Sequence, residues 1–283
     1  MTTVEFEYKY EHMNRGWPDA KGVARLRKIF DDNLDVYKRT LEAIAPLEEH
    51  FDKIALEGDA SELTPFWNNI WLPPLDAISL AGLVALGRPA TYLEVGSGNS
   101  TKFVRWIIDT LKLKTRIVSI DPFPRAEIDA ICDVTIRSPL EHADQSVFLN
   151  LAPNDIVFMD NSHRSFPSSD VTAFFMEILP NLPHDVVFGM HDIFLPFDYP
   201  LEWKDRFYNE QYLLAAYLYG GADQSKHVIG TQYMARLHGD IVRRCFPRLA
   251  KKGVHLGGGI FFMRRVAPVV RKKFGFFVGR AAR

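Results

Sequence analysis

The stretch Thr91–Thr101, TYLEVGSGNST, constrains this chain more than any other. Residues Thr91 to Val95 have the character of a short buried strand and lead into a turn with glycine at 96 and 98. Phe103, Val104, Trp106 and Ile107 then follow at helical spacing. A strand, a glycine turn and a helix start, in that order, bring free N–H groups to a place where a ligand can approach the main chain closely. Asn99 and Ser100 stand where side chains cap those groups. The ligand expected there is nucleotide-like.

The spacing narrows the ligand class. A dinucleotide site expects G-x-G-x-x-G, and here the third glycine position holds Thr101. That residue disfavours a nicotinamide-dependent oxidoreductase, which remains an alternative. Glu94 precedes Gly96 by two positions, giving E-x-G-x-G-x-S. This resembles the first motif of the class I S-adenosylmethionine-dependent methyltransferases. The resemblance implies that Glu94 holds the methionine amino group and that Gly96, Ser97, Gly98, Asn99 and Ser100 cradle the rest of the cofactor. A plain glycine turn after a strand is the competing reading, because short glycine motifs recur by chance.

From Thr91 onward, strand-like and helix-like segments alternate, the pattern of a mostly parallel sheet covered on both faces. Strands are expected at Thr91–Val95, Arg116–Asp121, Val134–Arg137, Asp155–Asp160, Val186–Asp192, His227–Ala235 and Gly259–Arg264. Helices are expected at Asn99–Leu111, around Ala126–Ile131, at Asp170–Leu182 and at Leu201–Tyr219. The fold class is therefore α/β, a doubly wound seven-stranded sheet. The resemblance adds a closing antiparallel hairpin with GGGIFFMRR as its last strand. Before the motif, Val23, Leu26, Ile29, Phe30, Leu34, Tyr37, Leu41 and Ile44 recur at spacings of three and four, so residues 1–85 read as an N-terminal helical extension that partly covers the site. The loop TPFWNNIWLPPL leads from it into a helix over Asp76–Leu86. Residues 86–266 form the main domain, and 267–283 a basic, aromatic tail. With 283 residues, 47% of them apolar, one such core with added segments is the natural organisation.

Ligands of open α/β sheets bind at the carboxyl ends of the strands. Asp121 ends the second expected strand, where a carboxylate can accept hydrogen bonds from both hydroxyls of a ribose, and Phe123 can lie against adenine. Asp160 and His163 follow the fourth strand, and His191 and Asp192 the fifth. Two mechanisms suit these residues. In one, His163 or His191 is a general base that takes a proton from a substrate hydroxyl. In the other, Asp160 and Asp192 hold Mg²⁺, as in the metal-dependent O-methyltransferases that the pattern is similar to. The chain departs from those enzymes in having His191 before Asp192 and Ile193 after it.

DNSHRSFPSSDVTAFFMEILPNL followed by HDIFLPFDYP resembles a subgroup of class I methyltransferases found among uncharacterised bacterial and polysaccharide-related proteins. The implied activity is methylation of an oxygen on a small molecule or sugar, with a non-catalytic S-adenosylmethionine-binding module as a further alternative. FLPFDYP, with two prolines, is expected to be a rigid loop over the active-site edge. Lysine plus arginine (34) nearly balance aspartate plus glutamate (35), which argues against general nucleic-acid binding. The two cysteines, Cys132 and Cys245, stand alone, the N-terminal residues lack a secretory pattern, and no apolar run is long enough to span a bilayer. A cytoplasmic protein is expected. The tail's lysines, arginines and phenylalanines give it at most a weak surface contact with anionic groups.

Overall fold

The computed structural model describes residues 7–8, 11–124, 128–222 and 224–267. Its seven strands, β1 (Thr91–Val95), β2 (Arg116–Ile120), β3 (Val134–Ile136), β4 (Ile156–Met159), β5 (Val187–Met190), β6 (Ser225–Gly230) and β7 (Phe261–Arg265), form one sheet in the order β3-β2-β1-β4-β5-β7-β6. The first five run parallel, and β7 lies antiparallel between β5 and β6. All residues of β4 and β5 are buried, as expected of strands covered on both faces. The doubly wound seven-stranded architecture is thus the one the sequence pattern implies. Three short helices, Thr231–Leu237, Gly239–Cys245 and Pro247–Lys252, separate β6 from β7, so the closing pair is not a tight hairpin.

Register places the site. Val95 pairs with Ile120 on one side and with Met159 on the other, and Met159 pairs with Met190. The residues that follow, Gly96, Asp121, Asp160 and His191, therefore stand in a row along one edge. Each is tied to its neighbour by one more main-chain bond: Gly96 N to Ile120 O (3.0 Å), Asp160 N to Val95 O (2.8 Å) and His191 N to Met159 O (2.8 Å).

Several elements differ from expectation. β6 stops at Gly230 because the chain turns there, with Thr231 N donating to Ile260 O (2.9 Å), and the residues expected as strand form the helix Thr231–Leu237. The segment expected as one helix over Asp170–Leu182 is α-helical only over Asp170–Ala173, then widens to a π-helix over Phe174–Ile178 and tightens at Leu179–Asn181. Pro180 has no N–H to continue the α ladder, and the wide turn lets Phe174, Phe175 and Ile178 all reach the core. Leu201–Tyr219 is divided into Leu201–Arg206 and Glu210–Tyr219, with Phe207 left-handed between them (φ 54°). The helix around Ala126 falls partly outside the described residues; Asp129–Ile131 form one short turn.

Helices of the N-terminal extension pack into the core of the main domain. Helices Ala24–Asp31 and Leu34–Ile44 lie against β6, β7 and the helix after β6: Phe30 meets Phe261 and Tyr233 with ring centroids 5.4 and 5.5 Å apart, and Thr40 donates to Val228 O (2.8 Å). Their buried side chains belong to the same core as the sheet. The next helix runs over Pro74–Gly87, beginning at the proline that is preset for a first helical turn, and is buried on nearly every side. The basic tail, Ala267 excepted, lies outside the described residues. No helix among the described residues is long and apolar enough to cross a membrane.

Candidate functional site

A cavity of about 260 Å³ opens at the point where strand order reverses between β1 and β4. Gly96, Ser97, Asp121, Phe123 and Asp160, all expected at a cofactor site, share its wall with Ser162 and Asp170. Gly96 has φ +78°, and a Cβ there would lie 1.8 Å from the carbonyl oxygen of Asp160, so the turn closes over the end of β4 only with glycine. Asp121 is fixed by the main chain, accepting from Ser97 N (2.9 Å) and Phe123 N (2.8 Å). Phe123 is 87% exposed, an apolar ring open to a ligand face.

The remaining expected cofactor residues stand elsewhere. Glu94 is fully buried behind the turn and accepts hydrogen bonds from Tyr92 (2.9 Å) and Thr101 (2.5 Å). Burial pushes its carboxyl up to about 7 against the pull of those hydroxyls. It braces the turn from inside and does not line the cavity. Thr101, which fills the third glycine position, also accepts from Gly98 N (3.0 Å) and so does the work at the helix start that Asn99 and Ser100 were expected to do. Asn99 instead donates to Asn69 Oδ1 (3.1 Å), tying the loop after the N-terminal helices to the glycine turn, and Ser100 is buried. A folded-state pKa above the unfolded value means that Glu94 favours the fold at low pH and that this contribution is lost as pH rises from about 4.5 to about 7. Glu94→Gln is expected to flatten that slope, and urea unfolding of both proteins across this range measures it; an unchanged slope would remove the assignment.

Beside the cavity, the acids and histidines at the ends of β4 and β5 form one cluster. His191 Nδ1 lies 3.2 Å from Asp160 Oδ1, and His163 Nε2 lies 3.5 Å from both Asp160 Oδ1 and Asp192 Oδ2. Two further acids join it that the sequence reading did not single out. Glu210 Oε2 sits 2.9 Å from His163 Nδ1, and Asp76 Oδ2 sits 3.5 Å from His191 Nε2. Asp76 also accepts from Gly259 N (2.7 Å) and Ile260 N (3.0 Å) and bonds Thr231, fixing the start of β7. Both acids occupy first turns of helices, where a carboxylate is unremarkable for its effect on the helix dipole. Their role depends on contacts distant in the chain. His163 and Asp192 have φ of +58° and +53°, conformations that cost a non-glycine residue energy and gather at functional sites.

The electrostatics bear on the expected histidine role. Burial alone would push the His163 imidazole down, but Asp160, Glu210 and Asp192 outweigh it and raise it to about 10. His191 is likewise raised well above its ordinary value against the effect of burial, by Asp160 and Asp192 foremost. Burial would raise Asp160, yet the attraction of His191 and the bonds from both histidines hold it well below the carboxylate range. The surrounding carboxylates therefore favour the imidazolium form of both rings, the form without a free lone pair to act as a general base. The expected magnesium site is corrected by the same contacts. His163 already supplies the positive charge between Asp160 and Asp192, and no group of three or more His, Cys, Asp or Glu among the described residues is arranged to hold a metal ion.

FLPFDYP lies along the same edge. Phe194 N donates to Gln211 Oε1 (2.9 Å), and Tyr212 donates to Asp198 (2.6 Å), so the loop is held against the helix Glu210–Tyr219. Tyr208, just before that helix, places its ring 4.6 Å from His163.

No family model and no curated protein matches the chain. Solved structures do. One is an O-methyltransferase from Bacillus cereus in complex with SAH, 16% identical, covering 81% of this chain and 91% of that one at a TM-score of 0.37. The plantazolicin methyltransferase BpumL, with a pentazolic substrate analogue and SAH, is 11% identical over 86% and 100% of the two chains at 0.44. The branched-chain polyamine synthase of Thermus thermophilus, with 5'-methylthioadenosine, is 10% identical over 83% and 66% at 0.43. At such distances these likenesses assign neither reaction nor substrate.

Proposed function

We propose that this protein is an S-adenosylmethionine-dependent methyltransferase that methylates an oxygen of a small molecule or sugar. The observation that carries the reading is the cavity at the strand-order switch, where Gly96, Asp121, Phe123 and Asp160 meet on one wall. The donor set suits an adenosine-type ligand: Asp121 keeps lone pairs for two ribose hydroxyls, and the exposed Phe123 ring offers a face to a purine. The cofactor, when bound, supplies an electrophilic methyl group. The chain's own part is to hold donor and acceptor in line on rigid strand ends, which accounts for a large share of the barrier in such transfers. His163 and His191, as cations among Asp76, Asp160, Asp192 and Glu210, favour the ionised form of an acceptor hydroxyl before it attacks and take no proton from it.

Calorimetric titration with S-adenosylmethionine and its demethylated product tests the reading. Micromolar binding is expected, insensitive to added Mg²⁺, and Asp121→Ala is expected to weaken it by about 1 to 3 kcal/mol. Absence of binding to folded protein, or an NADH titration that succeeds where these fail, would remove it.

A further inference from the structure

A second cavity, of about 210 Å³, has Tyr208 on its wall, whose ring centroid lies 4.6 Å from that of His163. Six aromatic rings line it: Phe166, Tyr199, Trp203, Phe207, Tyr208 and Tyr212. Tyr199 is buried at the back, while Phe166, Phe207 and Tyr212 keep more than a third of their surface in water. Trp203 and Tyr199 lie within 22° of parallel, and Tyr208 stands edge-on to both. Rings so arranged present faces and edges to a flat guest. At roughly 30 Å³ for each displaced water, the space corresponds to about seven waters, and since a dry cavity of about 150 Å³ takes a benzene, one ring with small substituents fits.

Lys204 and His12 are on its wall and no carboxylate is, while Asp198 stands just outside and accepts from the Tyr212 hydroxyl (2.6 Å). The Arg206 guanidinium lies 3.9 Å from the Trp203 ring centroid, and that of Arg164 lies 5.2 Å from the Tyr208 centroid. A cationic guest would meet these groups unfavourably, and an anionic one favourably. A sugar would find few acceptors for its hydroxyl protons, since Asn209 Oδ1 is already bonded by Ser165 N and Oγ.

We propose that this cavity holds the methyl acceptor and selects a hydroxylated aromatic acid of one ring. The assignment rests on the methyltransferase reading for its chemistry, though not for its binding. His163, itself buried, links the two walls: its ring lies 4.6 Å from that of Tyr208 on this cavity, and its Nε2 lies 3.5 Å from Asp160 on the cofactor cavity. An acceptor hydroxyl turned toward His163 ionises to solvent, because the ring already carries its proton. The oxygen's lone pair then forms the new bond to the methyl carbon as the carbon–sulfur bond breaks, and that bond's electron pair stays on sulfur. A phenol ionises within reach of neutral pH, and a sugar alcohol does not, so a site without a base suits the phenol.

The test titrates the full-length protein, with and without the demethylated cofactor, against 4-hydroxybenzoate, benzylamine and methyl glucoside. The expected result is binding of 4-hydroxybenzoate at least tenfold tighter than that of the other two. Lys204→Ala, at an exposed position, should weaken it about fivefold and Tyr208→Leu more than tenfold, with cofactor affinity unchanged in both. Equal binding of benzylamine or the glucoside, indifference to both substitutions, or no binding of 4-hydroxybenzoate by protein that still binds the cofactor product would overturn the proposal. Ring binding without cofactor binding would uphold the aromatic site and remove the methyltransferase reading instead.

Discussion

Replacing Gly96 with alanine is expected to cost the fold about 2 to 5 kcal/mol and to abolish cofactor binding. Two independent terms add. The residue has φ +78°, a conformation that costs an L side chain about 1 to 2 kcal/mol. The new methyl group would also lie 1.8 Å from the Asp160 carbonyl oxygen and 2.7 Å from its carbon, well inside contact distance. Those atoms are main chain at the end of a central strand and cannot rotate away, so the overlap is relieved only by moving β1 from β4, at a further cost of about 1 to 3 kcal/mol. The displaced atoms are the ones that carry Asp160 and Ser97 on the cavity wall, so binding is lost with them. For a domain whose total stability is on the order of 5 to 15 kcal/mol, such a variant should unfold at markedly lower urea concentration. A loss of less than 1 kcal/mol with cofactor affinity intact would show that the turn has more room than the structure gives it. Gly98 provides the control. Nothing lies within 4 Å of a Cβ placed there, so Gly98→Ala should leave stability nearly unchanged and report on ligand contact alone.

The same pair of glycines shows what a sequence can disclose. Strand β1 and the turn after it were legible because they are local: apolar residues, two glycines and a helical pattern follow one another without interruption. Asp121, Asp160, His163, His191 and Asp192 were legible as candidates because a parallel sheet puts strand ends on one edge, whatever the side chains do there. Their protonation was not, since it depends on how closely the histidines meet Asp160 and Asp192 in space and, beyond these, on Glu210 and Asp76, which lie far from them in the chain and look like ordinary first-turn acids. The burial of Glu94 was hidden for a related reason. The motif fixes its position next to the turn, but the hydroxyls of Tyr92 and Thr101 turn its carboxylate inward. β6 was drawn too long because His227–Ala235 has residues suited to a strand, and the turn at Thr231 depends on Ile260 and Asp76. The aromatic cavity, too, draws its rings from three separate segments, so no single window of sequence displays it.

Removing the imidazole of His163 should destabilise the protein by on the order of 3 to 5 kcal/mol at pH 6. His163→Ala leaves Glu210, which is fully buried, without its ring partner and brings Asp160 and Asp192 to face each other without the cation between them. The pH dependence follows from the direction of the shift. His163 has a folded-state value of about 10 against an ordinary 6.5, so its stabilisation is fully present below about 6.5 and is lost as pH rises toward 10. His191, also raised, adds to that alkaline loss. Burial pushes the Glu210 carboxyl up as well, so its ionisation on raising the pH works in the same direction. Asp160 is held low, so its contribution is present above the ordinary carboxylate range and is lost on strong acidification. Stability should therefore be greatest in mildly acidic solution and fall on the alkaline side, where an ordinary protein of this charge balance changes little. Urea unfolding at intervals from pH 5 to 10 measures the fall. In His163→Ala the alkaline limb should be shallower and the acidic maximum lower, with the part due to His191 remaining. An alanine variant that kept the full alkaline slope would show that His163 is neutral in the folded protein, and a neutral His163 beside Asp160 would again be competent to take a proton from the acceptor.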